Sequence, residues 1–165
     1  MIYLIGPMAC GKSTVGKSLA KALDTTFLDT DEVIVMSHGS IPQIFAEHGE
    51  RHFRDLEVQT LRATQAGVLA TGGGAVLREE NRQVLRRGTV IYLKMDEQTA
   101  AQRISRGQGR PLLAGNEDVL VRWRELFAQR KDIYEQLADF TVQVDDRPVA
   151  ELVKVIKDFV ISATR

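Results

Sequence analysis

Apolar positions along the chain follow two alternating rhythms. Unbroken apolar runs, Ile2-Tyr3-Leu4-Ile5, Val68-Leu69-Ala70 and Val90-Ile91-Tyr92-Leu93, read as strands covered on both faces. Between such runs, apolar residues recur three and four apart, as Val15, Leu19, Ala20 and Leu23 do, which marks one side of an amphipathic helix. Read this way, the first helix covers about 12–23 and the second strand Thr26 to Asp29. Helical segments follow over about 31–37, from a Ser40 cap to Gly49, and over about 50–66. In the middle one, Ser40 before Pro42 and Gln43 gives a capped start, with Ile44 and Phe45 inward. The last of the three places Phe53, Leu56 and Leu61 on its apolar side. The third strand spans 68–70. A helix over about 79–87, a fourth strand over 90–93 and a helix over about 96–105 come next. The chain closes with a helix over about 117–137, a strand over 140–144 and a helix opened by Pro148. Such β–α alternation implies right-handed crossovers and a parallel sheet with helices on both faces, an α/β three-layer fold. Ligands of that architecture gather outside the carboxyl ends of the strands.

One such strand end carries a phosphate-binding pattern. Gly6-Pro7-Met8-Ala9-Cys10-Gly11-Lys12-Ser13 fits G-x-x-x-x-G-K-[ST], with a strand before it and a helix after it. That context lets backbone N–H groups wrap a phosphate chain at a helix N-terminus. Ala9, Cys10 and Gly11 supply backbone to the loop, and Lys12 places a cation against β- and γ-phosphates. Ser13 is the expected Mg²⁺ ligand, and Thr14 can donate to an α-phosphate.

Composition narrows the class further. A chain of 165 residues suits one domain. Lys plus Arg and Asp plus Glu both number 22, which gives no support to a nucleic-acid binder. No apolar run approaches the ~20 residues of a membrane span, and no secretory leader is visible. The single cysteine, Cys10, fits a reducing compartment, so a cytoplasmic location is expected.

Four further constellations fall at strand ends or beside them. Asp29-Thr30-Asp31 sets two carboxylates just past the second strand. Both can reach toward the loop after the first strand, one to hold a Mg²⁺-bound water and the other to accept from an acceptor hydroxyl. A helix cap with a first-turn acid is the alternative, and the neighbouring phosphate loop favours the site. Arg54 and Glu57, three apart on a helix, read either as a solvated ion pair or as a guanidinium offered to a substrate carboxylate. Gly72-Gly73-Gly74 ends the third strand and suits a substrate lying against bare backbone. Arg106 and Arg110 in a glycine-containing stretch suit a lid that brings a cation over a transferring phosphoryl group. His38, His48 and His52 have no metal-spaced partner.

Together these marks resemble the shikimate kinases over nearly the whole chain. They are Gly6-Pro7-Met8 leading the phosphate loop, Leu28-Asp29-Thr30-Asp31, Gly49-Glu50 with Phe53-Arg54 and Glu57, Ala70 to Gly74, Arg110-Pro111-Leu112-Leu113, and Arg130 with Tyr134. The resemblance implies a nucleoside-monophosphate-kinase-like fold, five parallel strands in order 2-3-1-4-5, and ATP-dependent phosphorylation of the shikimate 3-hydroxyl. By that resemblance, Asp31, Arg54, Gly73 and Arg130 contact shikimate. Ser13, with Asp29 acting through water, holds one Mg²⁺ ion with ATP. Arg110 reaches ATP from the lid, and Arg103, Arg147 and Pro148 flank the adenine. Asp31, Lys12 and Arg110 are then the catalytic set. The lid covers about 107–116 and the substrate-binding helical region about 31–66, within one domain that works as a monomer. Ala9-Cys10 departs from the family pattern, where glycine and a small residue are common, and little change is expected from it. The alternatives are another small-molecule kinase of this fold, acting on gluconate or a nucleoside monophosphate, or a non-catalytic nucleotide-binding regulatory module.

Overall fold

The computed structural model describes residues 1–107 and 116–164. Five parallel strands form one sheet in the order β2-β3-β1-β4-β5, the order the resemblance implies. They are β1 (Ile2–Ile5), β2 (Phe27–Asp29), β3 (Val68–Ala70), β4 (Thr89–Lys94) and β5 (Phe140–Gln143). The helices are α1 (Lys12–Ala22), α2 (Thr30–His38), α3 (Ile41–Ala63), α4 (Glu79–Leu85), α5 (Glu97–Ser105), α6 (Asn116–Leu137) and α7 (Val149–Ala163), with a short 3-10 turn at Ala75–Leu77.

Side chains alternate across β1, so Leu4 goes to one face and Tyr3 and Ile5 to the other. Leu4 packs with Val15, Leu19, Leu93, Trp123 and Ile156. Tyr3 and Ile5 pack with Leu61, Leu69, Leu85, Tyr92 and Tyr134. Helix α6 contributes to both clusters. A third cluster, Ile34, Ile41, Ile44, Phe53 and Leu56, holds α2 and α3 together beside the sheet.

One expectation holds and two need correcting. Gly49 ends its helix: its φ of 81° and ψ of 172° lie outside the helical region, and a second helix runs from there to Ala63. Glycine tolerates that geometry without a Cβ penalty, so the chain turns and resumes at once. That second helix stops at Ala63, not Ala66. Phe45 does not point inward with Ile44. It is 36 % exposed against 3 % for Ile44, and its ring lies 4.9 Å from that of Phe53 at the mouth of a cleft.

Register brings three strand ends to one level. Leu4 of β1 and Asp29 of β2 both pair with Ala70 of β3. The phosphate loop, the Asp29–Asp31 turn and Gly72–Gly74 therefore open onto the same edge.

Candidate active site

Those three turns, with α3 and α6, line a cleft of about 650 Å³, a usual size for a small-molecule site. Its walls bring together Ala9, Gly11, Lys12, Ser13, Thr14, Asp29, Asp31, Arg54, Gly73 and Arg130.

At one end lies the phosphate loop. Gly11 sits immediately before α1 with φ of 90°, and no side chain caps the helix, so its first N–H groups are left for an anion. Lys12 Nζ donates to the Gly6 and Pro7 carbonyls at 2.7 and 3.0 Å. The next two carbonyls accept from distant side chains. Trp123 Nε1 reaches Met8 O at 2.9 Å, and Arg103 reaches Ala9 O at 2.9 Å. Ala9 itself has φ of 69°, so the alanine takes a backbone conformation that glycine adopts more cheaply. Cys10 is buried among core residues.

Ser13 and Asp29 join the loop to β2, the hydroxyl donating to Asp29 Oδ2. The other oxygen of Asp29 accepts from the backbone N–H of Asp31 at 2.8 Å and of Glu32 at 3.3 Å. Asp29 is thus the N-cap of α2, and the capping account and the loop contact hold together. The converging hydroxyl and carboxylate are hard oxygen donors of the kind Mg²⁺ takes, few in number as suits an ion shared with phosphates. Asp31, two residues on, is buried and lines the cleft.

The opposite end is built from buried charge. Arg54 donates to Glu57 at 2.8 Å and lies 3.5 Å from Glu50. The Arg54 and Glu57 side chains are only 11 % and 1 % exposed, so the solvated-pair reading fails: this pair sits in the interior, against the glycine turn. Burial pushes the Glu57 carboxyl above its ordinary range, opposed by Arg54. Arg130 enters from α6 and is also buried. Burial lowers its pKa, and the neighbouring Arg54 adds to the fall. No carboxylate lies within ion-pair distance of Arg130 among the described residues. Arg54 Nε and Arg130 Nε make no hydrogen bond. Arg54 is held by Glu57 and Glu50, while Arg130 beside it has no carboxylate at ion-pair distance among the described residues, which leaves unmet demand for an anion with two oxygens.

The glycine turn is the common floor. A methyl group on Gly74 would run into the Arg54 guanidinium, and one on Gly73 would lie 3.4 Å from Arg130. On Gly72 it would lie 2.6 Å from Glu57 Oε2 and 2.9 Å from Asp31 Oδ1. Only bare backbone lets four charged side chains close around this strand end. Tyr134 fixes the turn by donating to Gly73 O at 2.6 Å.

Arg103 and Arg147 stand outside the cleft lining. Arg103 bridges Ala9 O to Asp145 O, the latter at 3.4 Å. Arg147 is exposed and bonded to the Asp145 carboxylate and to Gln143 O. Arg110 and the stretch Pro111-Leu112-Leu113 lie outside the described residues. Trp123, which donates to the phosphate loop, is the contact that sequence reading missed. Its signal was spacing: Trp123, Arg130 and Tyr134 stand seven and four apart, on one face of one helix.

A phosphate loop facing a two-arginine pocket across about one cleft defines a small-molecule kinase of the phosphate-loop class. The shikimate kinase family model matches residues 8–161. The shikimate kinase of Streptomyces coelicolor is 44 % identical over 97 % of this chain and 95 % of its own. That of Chromohalobacter salexigens is 45 % identical over 94 % and 89 %. Among solved structures, shikimate kinase from Acinetobacter baumannii in complex with shikimate superposes with a TM-score of 0.89 at 38 % identity, covering 98 % of this chain and 93 % of that one. The chain belongs to the shikimate kinase family. A gluconokinase from Sinorhizobium meliloti matches at 21 % identity and a TM-score of 0.59, a likeness of fold alone.

Proposed function

We propose that this cleft transfers the γ-phosphoryl group of ATP to the 3-hydroxyl of shikimate, giving shikimate 3-phosphate and ADP. The observation that carries the reading is the pair of buried guanidiniums, Arg54 and Arg130, set around Gly72–Gly74 and opposite the phosphate loop. A ring acid held there by its carboxylate would present hydroxyls toward Asp31 and Lys12.

Each residue then has a physical task. The loop backbone and Lys12 bind the phosphates, and Lys12 exchanges its carbonyl partners for phosphate oxygens. Arg54 and Arg130 clamp the carboxylate, and Glu57 fixes the fork of Arg54. Asp31 accepts a hydrogen bond from the reacting hydroxyl and takes its proton as the P–O bond forms and the bond to ADP breaks. Ser13 and Asp29 would hold Mg²⁺, which supplies charge neutralisation on the phosphates. Arg110 adds a further cation from the lid. Phosphoryl transfer of this kind is mostly positioning and electrostatic stabilisation, and these residues supply both.

No helix is long and apolar enough to cross a membrane among the described residues. The same reading takes one chain, without nucleic acid or membrane, working in the cytoplasm as a monomer.

The test is a coupled assay of ADP release with shikimate, gluconate, a nucleoside monophosphate or no acceptor. Release that depends on shikimate alone is expected. Equal release with gluconate or a nucleoside monophosphate would move the enzyme to another acceptor. Nucleotide binding without release on any acceptor would make it a regulatory module.

A further inference from the structure

The phosphate loop is held by its carbonyls. From Gly6 to Ala9, each carbonyl in turn accepts a side-chain hydrogen bond: two from Lys12, one from Trp123 and one from Arg103. With these carbonyls taken up by side-chain donors, and with the Cys10 N–H turned to Pro7 O at 3.3 Å, the other N–H groups at the start of α1 are left for phosphate oxygens. Lys12 is the donor that the phosphates recruit, so the holds that stay with the loop are those of Arg103 and Trp123.

Trp123 differs from the others in where it comes from. It lies on α6, two turns before Arg130 and three before Tyr134, and the three form one stripe. Along that stripe, one helix touches the phosphate loop at Met8, the carboxylate pocket through Arg130, and the glycine turn at Gly73. Trp123 is 2 % exposed, and its ring stacks on Phe127 with centroids 4.8 Å apart. Its indole therefore has little freedom, and its N–H is aimed by packing.

We propose that Trp123 is a positioning residue for phosphoryl transfer. Its indole N–H fixes the Met8 carbonyl, and α6 thereby sets the spacing between the phosphoryl donor on the loop and the acceptor held by Arg130. The proposal rests on the kinase reading above. A misplacement of the order of 1 Å between reacting groups can cost about a hundredfold in rate, so one pinned carbonyl can matter beyond its own strength.

The test uses two replacements. Trp123→Phe keeps an aromatic ring and loses the donor. The chain has one tryptophan, so growth on benzothienylalanine, in which sulfur stands for the indole N–H, changes this position alone and preserves the packing. In both forms, kcat and ADP affinity should fall, ADP affinity by roughly three- to tenfold as for one lost hydrogen bond. The shikimate Kd measured by calorimetry without nucleotide should stay within twofold, because Arg54, Glu57 and Arg130 are intact. The benzothienylalanine form should also unfold within a few degrees of the parent. Parent-like kcat and ADP Kd in that form would overturn the proposal, whatever Trp123→Phe does. So would an equal loss of shikimate affinity, which would mark a general packing defect. A parent enzyme that releases no ADP on adding shikimate would overturn the kinase reading, and this proposal with it.

Discussion

The two ends of the cleft bind anions by opposite means. At the phosphate end the donors are backbone N–H groups of one contiguous stretch, and side chains serve chiefly to hold the loop in shape. At the acid end the donors are side chains from α3 and α6, far apart in sequence, and backbone serves only to stay out of their way at Gly72–Gly74. The first end is local and repeats in many folds. The second is assembled by tertiary packing, and its charges are buried deeply enough to matter to stability as well as to binding.

The largest effect should come from the one side chain at the phosphate end that meets the transferring group. Lys12→Ala is expected to lower turnover about 10³-fold or more, as for loss of a preorganised electrostatic donor. Lys12 is half-buried and bonds chiefly to loop carbonyls, with one longer contact of 3.7 Å to the Cys10 sulfur. The fold should therefore survive, with a melting temperature within a few degrees of the parent. Steady-state kinetics and thermal unfolding check both halves, and an unfolded variant would show that the loop needs its lysine for shape.

At the acid end, binding and stability should fall together. Arg54→Ala should raise the shikimate KM roughly ten- to a hundredfold, since charge-assisted bonds contribute about 1.5–3 kcal/mol each. It should also destabilise the protein by about 3–5 kcal/mol, because Glu57 is left buried without its partner. The sign of the pH dependence follows from Glu57. Its folded-state pKa is raised by burial, and loss of Arg54 removes what opposed the rise. The folded variant then holds a proton that the unfolded chain has already released. Stability should decline as pH climbs from the unfolded value of a glutamate through the raised folded one. Thermal unfolding at pH 5 and pH 8 should show a smaller deficit against the parent at pH 5. Adding Glu57→Gln should recover stability without recovering shikimate affinity. A deficit independent of pH would mean that Glu57 is not the strained group.

This difference also explains what could be read from the sequence. The phosphate loop and most element bounds were legible, because contiguous motifs and apolar periodicity are local, whereas the strand order came only through the family resemblance. The Asp29–Asp31 turn was legible as either a cap or a site; that Asp29 caps α2 and accepts from Ser13 at once was not. The Arg54–Glu57 pair was not resolved. An i,i+3 pair looks the same in sequence whether solvent or Gly74 covers it, and only the return of β3 beside α3 decides. Gly49 was legible as a stop because glycine commonly ends helices, and the non-helical backbone there divides two helices whose residues pack together as Ile44, Phe53 and Leu56 with Ile34. Trp123 shares a helix face with Arg130 and Tyr134, but nothing local pointed to its contact, because its partner carbonyl is 115 positions away.

The smallest expected effect returns to the phosphate end, at a residue whose departure from the family pattern seemed harmless. Ala9 adopts a φ of 69°, in a region that costs an L-residue about 1–2 kcal/mol and glycine little. Ala9→Gly removes that cost. It also gives the unfolded chain more freedom, which takes back about 0.4–1 kcal/mol. The net should be a stabilisation of at most about 1.5 kcal/mol, read as a small rise in the denaturation midpoint without a change in slope. Because the Ala9 carbonyl stays bonded to Arg103, ADP affinity and kcat should remain within about twofold of the parent. The matched change at the acid end should go the other way. Gly74→Ala places a methyl against the Arg54 guanidinium, so it should lose both stability and shikimate affinity. If Ala9→Gly instead destabilised the protein, the alanine methyl would be making contacts worth more than its backbone costs. The phosphate end would then depend on side-chain packing as the acid end does.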